Sequence, residues 1–208
     1  MKKLTLITSL IRPQNLPRLQ TSIENTLGNS ISWHWIVVAD GKFVPGFSAI
    51  PEVKARLLFR HIPIASYGFL EKNVALDLIE EDTWVYFQDD DTEMHPAFGE
   101  LFLKSLTERP DARGMVFGQL LPDNTTRIPQ PGLDDYVGKI DMCQYVLRRS
   151  AIGHNRFFAA FGCDGEFFNR VYREHRDCFV FRNEIGFYHN NLRPGEKWDP
   201  QVGYGRPY

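Results

Sequence analysis

The segment Trp84-Val85-Tyr86-Phe87-Gln88-Asp89-Asp90-Asp91 carries the clearest information in the sequence. Its apolar first half predicts a buried β-strand, and three carboxylates follow where that strand ends. Adjacent like charges raise one another's pKa unless a cation joins them, and oxygen ligands suit Mg²⁺ or Mn²⁺. Residues two apart in an extended chain point the same way, so Asp89 and Asp91 could share a metal. An acidic turn that caps the helix beginning at Pro96 is the alternative.

Strands and helices alternate over about the first 120 residues. Strands are predicted over 4–11, 33–39, 56–64, 84–88 and 114–121, and helices follow Leu16, Gly68 and Pro96. In the second helix, Leu70, Val74 and Leu78 fall on one face. The alternation predicts an α/β fold, in which helices cover both faces of a mainly parallel sheet. Ligands bind such sheets beyond the carboxyl ends of strands, so Asp40 and Asp89 should reach the same rim.

The second half of the chain has a less regular pattern. A polar loop is expected over 122–138, a strand or amphipathic element over 141–149, a helix over 167–175, and short strands over 179–182 and 187–189. The chain from Pro194 onward is rich in Gly and Pro, which favours a tail or flap. We therefore expect one domain over 1–195 and a tail over 196–208.

Composition excludes several classes of protein. Twenty-four Lys and Arg against 26 Asp and Glu give a net charge of −2, so no basic surface for nucleic acid is expected. Three cysteines without a CxxC pair disfavour a disulfide framework or a zinc site, and favour reduced thiols in a cytoplasmic protein. The first apolar run is too short for a signal peptide, and no run is long enough to cross a membrane.

Four segments in order resemble glycosyltransferases with the GT-A fold. They are Thr8-Ser9 to Arg12-Pro13, Trp35 to Gly41, Gly68 to Lys72-Asn73, and Val85 to Asp91. The sequence is similar to the inverting family 2-type enzymes and, in its N-terminal half, to the β-1,3-glucuronyltransferases. The resemblance implies a three-layer αβα sandwich that binds a nucleoside diphosphate sugar, with UDP as the expected nucleotide. Residues 1–120 would form the nucleotide and metal half, and 121–195 the acceptor half.

The resemblance also implies roles for individual residues on the donor side. The residues that would contact the nucleotide sugar are Ser9, Arg12, Asp40, Lys72, Asn73, Asp89 and Asp90. Asp91, aided by Asp89, would bind Mn²⁺ or Mg²⁺, and His189 would complete the metal shell. Together with the metal, Arg12, Lys72 and Arg193 would stabilise the charge that develops on the departing diphosphate.

An inverting transfer needs a base that takes the proton of the acceptor hydroxyl. The segment Gly162-Cys163-Asp164-Gly165-Glu166 offers two carboxylates before the predicted helix and resembles the acidic pair of the family. By register, Glu166 takes the catalytic position and Asp164 supports it. The family's pair is contiguous, whereas Gly165 separates the acids here, so either acid can be the base. Helix capping by Asp164 is the alternative without catalysis.

The acceptor side is less defined by the sequence. Asp141 would bind sugar hydroxyls, and Trp198 and Tyr204 in the tail would stack on a sugar or form a dimer contact. The resemblance implies a glycan or glycolipid acceptor, and leaves peripheral membrane association and a homodimer open.

Two other functions compete with this interpretation. A nucleotidyltransferase also uses carboxylates and Mg²⁺, but the segment from Thr8 to Leu16 has no Gly-rich phosphate loop. A non-catalytic protein that binds nucleotide sugars would explain the interrupted acidic pair.

Overall fold

The computed structural model describes residues 3–40, 55–60, 68–80, 82–160 and 162–193, without the side chains of 40 and 55–60. The strands in these ranges are β1 (Lys3–Leu10), β2 (Ser32–Asp40), β3 (Ala55–Arg60), β4 (Trp84–Phe87), β5 (Glu93–Met94), β6 (Gly114–Leu120), β7 (Thr126–Arg127), β8 (Tyr145–Arg148) and β9 (Phe179–Tyr188). The α-helices are α1 (Leu16–Leu27), α2 (Phe69–Asp77), α3 (Phe98–Glu108), α4 (Arg149–Ile152) and α5 (Cys163–His175). Short 3₁₀ turns occupy Pro13–Asn15, Met142–Gln144 and Arg176–Cys178.

All of these strands belong to one sheet, in the order β3-β2-β1-β4-β8-β6-β9-β5, with β7 beside β6. The strands β1 to β4 run parallel, whereas β8 runs antiparallel to both of its neighbours. The directions of β6 and β9 match those of β1 to β4, because β6 is antiparallel to β8 and parallel to β9. The mixed, mainly parallel sheet confirms the predicted fold class.

Alternate residues of β4 face opposite helical layers, as the two-residue period of a strand requires. Tyr86 packs against Phe98 of α3, with ring centroids 5.9 Å apart. Phe87, the next residue, packs against Phe167 of α5 at 5.6 Å. Both rings of β4 are fully buried. The sheet therefore lies between two layers of helices, and the acidic run begins where its central strand leaves the core.

The apolar face that the sequence pattern marks on α2 is not the buried face of the helix. Leu70 and Val74 are half-buried, and Leu78 is exposed. The buried face instead includes Glu71 and Lys72 together with three apolar residues, Phe69, Ala75 and Leu76. Burial of a charged side chain requires a partner, and the partner of Lys72 is a carboxylate at the sheet rim, described below. A hydrophobic pattern cannot predict a helix face that is turned toward a polar site.

The second half differs from the sequence prediction at β9 and at the start of α5, whereas a strand predicted within 141–149 is present as β8. The two short strands expected over 179–182 and 187–189 form the single strand β9. Its pairing with β6 shifts register on both sides of Gly118, which accommodates a polar stretch within one strand. The segment 141–149 is a 3₁₀ turn, then β8, then the start of α4. Helix α5 begins at Cys163 instead of residue 167, so the acidic pair lies inside its first turn.

Candidate active site

The carboxyl ends of β2, β1 and β4 meet at one rim of the sheet. Both β2 and β4 pair in parallel with β1, which lies between them. Asp40 is the last residue of β2, and Asp89 follows β4 by two residues. The strand topology predicted to bring these positions to the same rim is therefore present, although the side chain of Asp40 lies outside the described residues.

Asp89 is held by a buried lysine. The Nζ of Lys72 lies 2.9 Å from Oδ1 of Asp89, and the lysine side chain is 1% exposed. Burial favours the neutral amine, but the charge of Asp89 outweighs this effect and the pKa of Lys72 rises above its ordinary value. Lys72 is therefore a fixed positive charge beneath the rim, while the Asp89 side chain, 32% exposed, remains accessible.

Asp89, Asp141 and Cys143 form a close group that we call the Asp89 cluster. One potential ligand atom from each lies within 4.8 Å of the others, and no other group of this kind occurs among the residues that the structure describes. The backbone N–H of Asp89 also donates to Sγ of Cys143 at 3.4 Å. The cluster joins the end of β4 to the turn before β8.

A capping box fixes Asp141 in this cluster. Its Oδ1 accepts the backbone N–H of Cys143 at 2.9 Å, while Gln144 Oε1 accepts the backbone N–H of Asp141 at 3.0 Å. The side-chain amide of Gln119, on β6, donates to the same Oδ1 at 3.1 Å. The carboxylate expected to meet an acceptor sugar therefore lies beside Asp89.

His189 reaches the cluster from the end of β9. Its Nδ1 lies 3.7 Å from Oδ2 of Asp141, and its side chain is 9% exposed. Burial lowers the pKa of His189, so the imidazole is neutral at pH 7. A neutral imidazole is the form that binds metals. His189 therefore lies beside Asp141, and its predicted role as a metal ligand stays a prediction.

Asp90 and Asp91 have a different environment. One oxygen of Asp90 accepts the backbone N–H groups of Ile11 and Arg12, at 2.6 and 2.5 Å, and the other accepts the Arg12 guanidinium at 3.0 Å. Oδ2 of Asp91 contacts Arg193 Nε at 2.5 Å and Arg12 at 3.2 Å. Both carboxylates are buried. We call these two residues the arginine-bound pair.

The arginine-bound pair connects neighbouring segments of the chain at the rim. Asp90 ties the end of β1 to the end of β4, and Asp91 ties the rim to Arg193. Burial, followed by the charge of Asp89, raises the pKa of Asp91 to about 6 in spite of its arginine partners. Asp90 was predicted to touch the donor and Asp91 to bind metal. In the structure the carboxylates of both residues contact arginines.

The two candidate bases differ in their exposure to solvent. Glu166 is exposed, whereas Asp164 is half-buried. Burial, followed by the charge of Asp141, raises the pKa of Asp164 to about 7, and the charge of Asp89 adds to the effect. Asp164 therefore feels the negative charge of the Asp89 cluster.

Gly165 explains why the two acids are not contiguous. A Cβ at this position would lie 2.6 Å from the Cα of Val137 and 2.7 Å from the carbonyl oxygen of Tyr136. No side chain fits there, because helix α5 crosses the backbone of the preceding loop. The interrupted acidic pair is thus a packing requirement.

The remaining predicted donor residues have separate positions. Ser9 is buried at the end of β1, where a Cβ on Gly68 would lie 2.6 Å from its Oγ and 3.3 Å from Nζ of Lys72. Ser9 therefore adjoins the Lys72 side of the rim. The amide of Asn73 exchanges hydrogen bonds of 2.8 and 2.9 Å with the backbone of Phe157, so it holds a loop. Trp198 and Tyr204 lie outside the described residues.

The Asp89 cluster has a donor set that fits a divalent cation. Two carboxylates and a thiol converge, with a neutral imidazole behind Asp141. Burial and then the charge of Asp89 raise the pKa of the Cys143 thiol well above its usual range. A bound cation would reverse such shifts, since it stabilises every ionised ligand around it.

Sequence reasoning missed Cys143, which carries no motif of its own. The pattern Asp141-x-x-Gln144 is a capping-box signature, which predicts a turn whose acid accepts the N–H of Cys143. That signal would have placed Asp141 and Cys143 together. Their approach to Asp89 depends on the pairing of β8 with β4, which no local pattern reveals.

Comparison with known proteins identifies the class of fold. The chain matches no protein-family profile and no curated protein sequence. Its structure is similar to residues 1–349 of S. aureus TarS, with a TM-score of 0.71, 14% identity and coverage of 90% of this chain and 60% of that one. A longer TarS structure gives a TM-score of 0.69 at 15% identity over 90% of this chain and 36% of TarS. A mycobacterial protein gives 0.58 at 15% identity, over 89% and 66%.

The chain therefore shares the fold of these structures, in agreement with the predicted fold class. The chain spans about three fifths of the TarS fragment and about a third of the longer TarS chain. The predicted similarity to the β-1,3-glucuronyltransferases stays a prediction. Across the ranges that the structure describes, no helix has both the length and the apolar character needed to cross a bilayer.

Proposed function

We propose that the protein is a metal-dependent glycosyltransferase that moves a sugar from a nucleoside diphosphate, UDP in our proposal, to an acceptor hydroxyl with inversion. The observation that carries the proposal is the convergence of Asp89, Asp141 and Cys143 at the carboxyl rim, on a glycosyltransferase fold. Two TarS structures of this fold are complexes with UDP and with UDP-GlcNAc, at TM-scores of 0.66 and 0.65. Their ligands support a UDP-sugar as the donor.

The donor phosphates would lie above Asp89 and Lys72. When bound, Mn²⁺ or Mg²⁺ neutralises the charge that grows on the diphosphate as the glycosidic bond breaks. Asp89 would hold the cation, with Asp141, Cys143 and His189 as the neighbouring donors. Lys72 keeps a fixed charge under the leaving group and needs no reorganisation during the reaction.

Arg12 and Asp90 would shape the donor site indirectly. Asp90 holds the backbone of Ile11 and Arg12 immediately after β1, where the nucleotide-binding loop is expected. Arg193, bound to Asp91, fixes the chain as it leaves the described region. In this proposal the arginine-bound pair orders the rim, and Asp89 faces the ligand.

Asp164 is the base in the proposed reaction. A carboxylate with a pKa of about 7 can take a proton from an acceptor hydroxyl near neutral pH more effectively than one at its ordinary value of 3.8. Asp164 lies in the first turn of α5, where the charges of Asp141 and Asp89 act on it, while Glu166 is exposed. The acceptor, a glycan or glycolipid, would approach between α5 and the rim.

Transfer assays with several nucleotide sugars test the proposal. We expect release of UDP that requires Mn²⁺ or Mg²⁺, stops with EDTA and is lost in Asp89→Asn. Asp134→Asn, an exposed carboxylate elsewhere, is the matched control. Tight donor binding without turnover for any acceptor would contradict catalysis and favour a nucleotide-sugar-binding protein. Turnover that is unaffected by EDTA would contradict metal dependence.

A further inference from the structure

Cys143 occupies an unusual position for a thiol. It is fully buried, free of any disulfide, and part of the Asp89 cluster. Its Sγ accepts the backbone N–H of Asp89, a contact that stabilises a thiolate as well as a thiol. Two other cysteines, Cys163 and Cys178, are also free but do not belong to such a group among the described residues. The sulfur is therefore built into the polar site.

A second buried group points to a ligand at the same place. Tyr86 is fully buried, and its hydroxyl has no hydrogen bond of normal geometry with any described residue, but its polar neighbour is the thiol of Cys143. The hydroxyl therefore points toward the sulfur of the Asp89 cluster. A thiol is a weak partner for a buried hydroxyl, and a water bound at the same place would satisfy it better.

The chemistry of sulfur limits which cation such a site prefers. Mg²⁺ takes oxygen ligands in octahedral geometry and gains little from a thiolate. Zn²⁺, Co²⁺ and Cd²⁺ bind thiolates strongly, and a site with mixed oxygen, nitrogen and sulfur donors suits them. When a sulfur–metal bond forms, the thiol proton leaves to solvent and the sulfur electron pair is donated to the metal.

We propose that Cys143 is a metal ligand and makes the Asp89 cluster selective for thiophilic divalent cations over Mg²⁺. The proposal rests on the proposed function only in placing a cation at this cluster. Asp89 and Asp141 supply carboxylate oxygens, and Cys143 supplies sulfur within 4.8 Å of them. Lys72 contacts Oδ1 of Asp89, so the second carboxylate oxygen can face the cation. Zn²⁺ or Cd²⁺ would then compete with the catalytic metal.

Spectroscopy on the whole protein tests this assignment without measuring turnover. Titration with Co²⁺ should produce a thiolate-to-cobalt charge-transfer band in the near ultraviolet. The band should disappear in Cys143→Ser and persist in Cys178→Ser, the matched control. Calorimetry should show Cd²⁺ binding weakened by about 10–100-fold in Cys143→Ser, with Mg²⁺ binding changed by less than about threefold.

The folded state of Cys143→Ser is verified by its thermal unfolding and by its circular dichroism spectrum. Cobalt binding without a charge-transfer band in the wild-type protein would overturn the thiolate assignment, as would an unchanged ratio of Cd²⁺ to Mg²⁺ affinity in the variant. Either result leaves metal-dependent transfer standing. Absence of any divalent-cation binding, with or without UDP, would overturn both this assignment and the proposed metal dependence.

Discussion

Three consecutive aspartates lie in two different electrostatic environments. Asp90 and Asp91 are buried against Arg12 and Arg193, and their oxygens hold the backbone and side chains of neighbouring loops. Asp89, one residue earlier, stays partly exposed and faces more acids. Identical residues in one run therefore divide into a part that builds the rim and a part that can meet a ligand. All three aspartates have a cationic partner, so the exposure of the Asp89 carboxylate is what separates the two roles.

The Asp89 side of the rim has an excess of acid. Asp141 and Asp89 both act on Asp164, while Lys72 contacts Asp89 and Arg127 lies 3.8 Å from Asp141. Burial, followed by the charge of Asp141, raises the pKa of Asp164 to about 7. A cation bound beside these carboxylates would favour the ionised form of Asp164. Variants of Asp164 and Asp90 test the difference between the Asp89 side and the arginine-bound pair.

Replacement of the base should have the largest effect. Asp164→Asn keeps the size of the side chain and removes its ability to accept a proton. We expect the transfer rate to fall by about 10²–10⁴-fold, the usual contribution of a general base. Glu166→Gln, two residues away on the exposed side of the same helix turn, should retain nearly full activity. Initial rates of UDP release at saturating donor measure both variants.

The opposite result has a clear meaning. If Glu166→Gln loses activity and Asp164→Asn keeps it, the family register is correct and the raised pKa of Asp164 has no catalytic use. The proposed role of the Asp89 side would then be limited to donor binding.

Loss of one carboxylate from the arginine-bound pair should lower the free energy of unfolding. Asp90→Asn removes the charge that binds Ile11, Arg12 and the Arg12 guanidinium, and leaves buried donors poorly matched. We expect the free energy of unfolding to fall by about 2–4 kcal/mol, as when one partner of a buried pair is removed. Urea denaturation measures the change, and Asp134→Asn should be close to wild type. An unaltered midpoint would show that this clamp contributes nothing.

The pKa values of both Asp164 and Asp91 are raised, so an Asp164 variant is needed to isolate the contribution of Asp164 to the pH dependence of stability. The folded pKa of Asp164, about 7, exceeds its ordinary value of 3.8, so the folded state binds the proton more tightly than the unfolded state. The stabilisation from protonated Asp164 is complete below about pH 4 and is lost as the pH rises through about 7. Asp164→Asn imitates the protonated acid and should be more stable than wild type at pH 8, by on the order of 1–2 kcal/mol.

Parallel denaturation of the two proteins at several pH values measures this difference without added metal. The advantage of Asp164→Asn should shrink steadily toward pH 4. A constant difference across the range would mean that Asp164 ionises in the folded protein as it does in the unfolded chain.

The parallel half of the fold was predictable from the sequence because short local patterns define its strands and helices. Apolar runs define β1, β2 and β4, and Pro17 and Gly28 bound α1 as expected. The second half depends on long-range pairing. The insertion of β8 between β4 and β6, and the irregular pairing of β9, leave no local periodicity. The first turn of α5 was missed because Asp164, Gly165 and Glu166 interrupt the apolar spacing.

The site was predictable as a position but not as a set of contacts. The run at the end of β4 marked the rim of the sheet, and His189 as a metal ligand stays a prediction of the resemblance. Identical neighbours gave no means of knowing that Asp91 would pair with Arg193 while Asp89 would approach Cys143. Which partner each aspartate meets depends on the direction of its side chain after β4 ends. The turn at that point sets these directions, and its conformation is not evident from the sequence.

The affinity for UDP with and without Mn²⁺ tests the central claim most directly. Calorimetry on the wild-type protein should show that Mn²⁺ tightens UDP binding by at least about tenfold, equivalent to about 1.4 kcal/mol. Asp89→Asn, whose amide can still accept from Lys72, should abolish that enhancement, whereas Asp134→Asn should keep it. Equal UDP affinity in the presence and absence of Mn²⁺ would contradict a cation held at the Asp89 cluster.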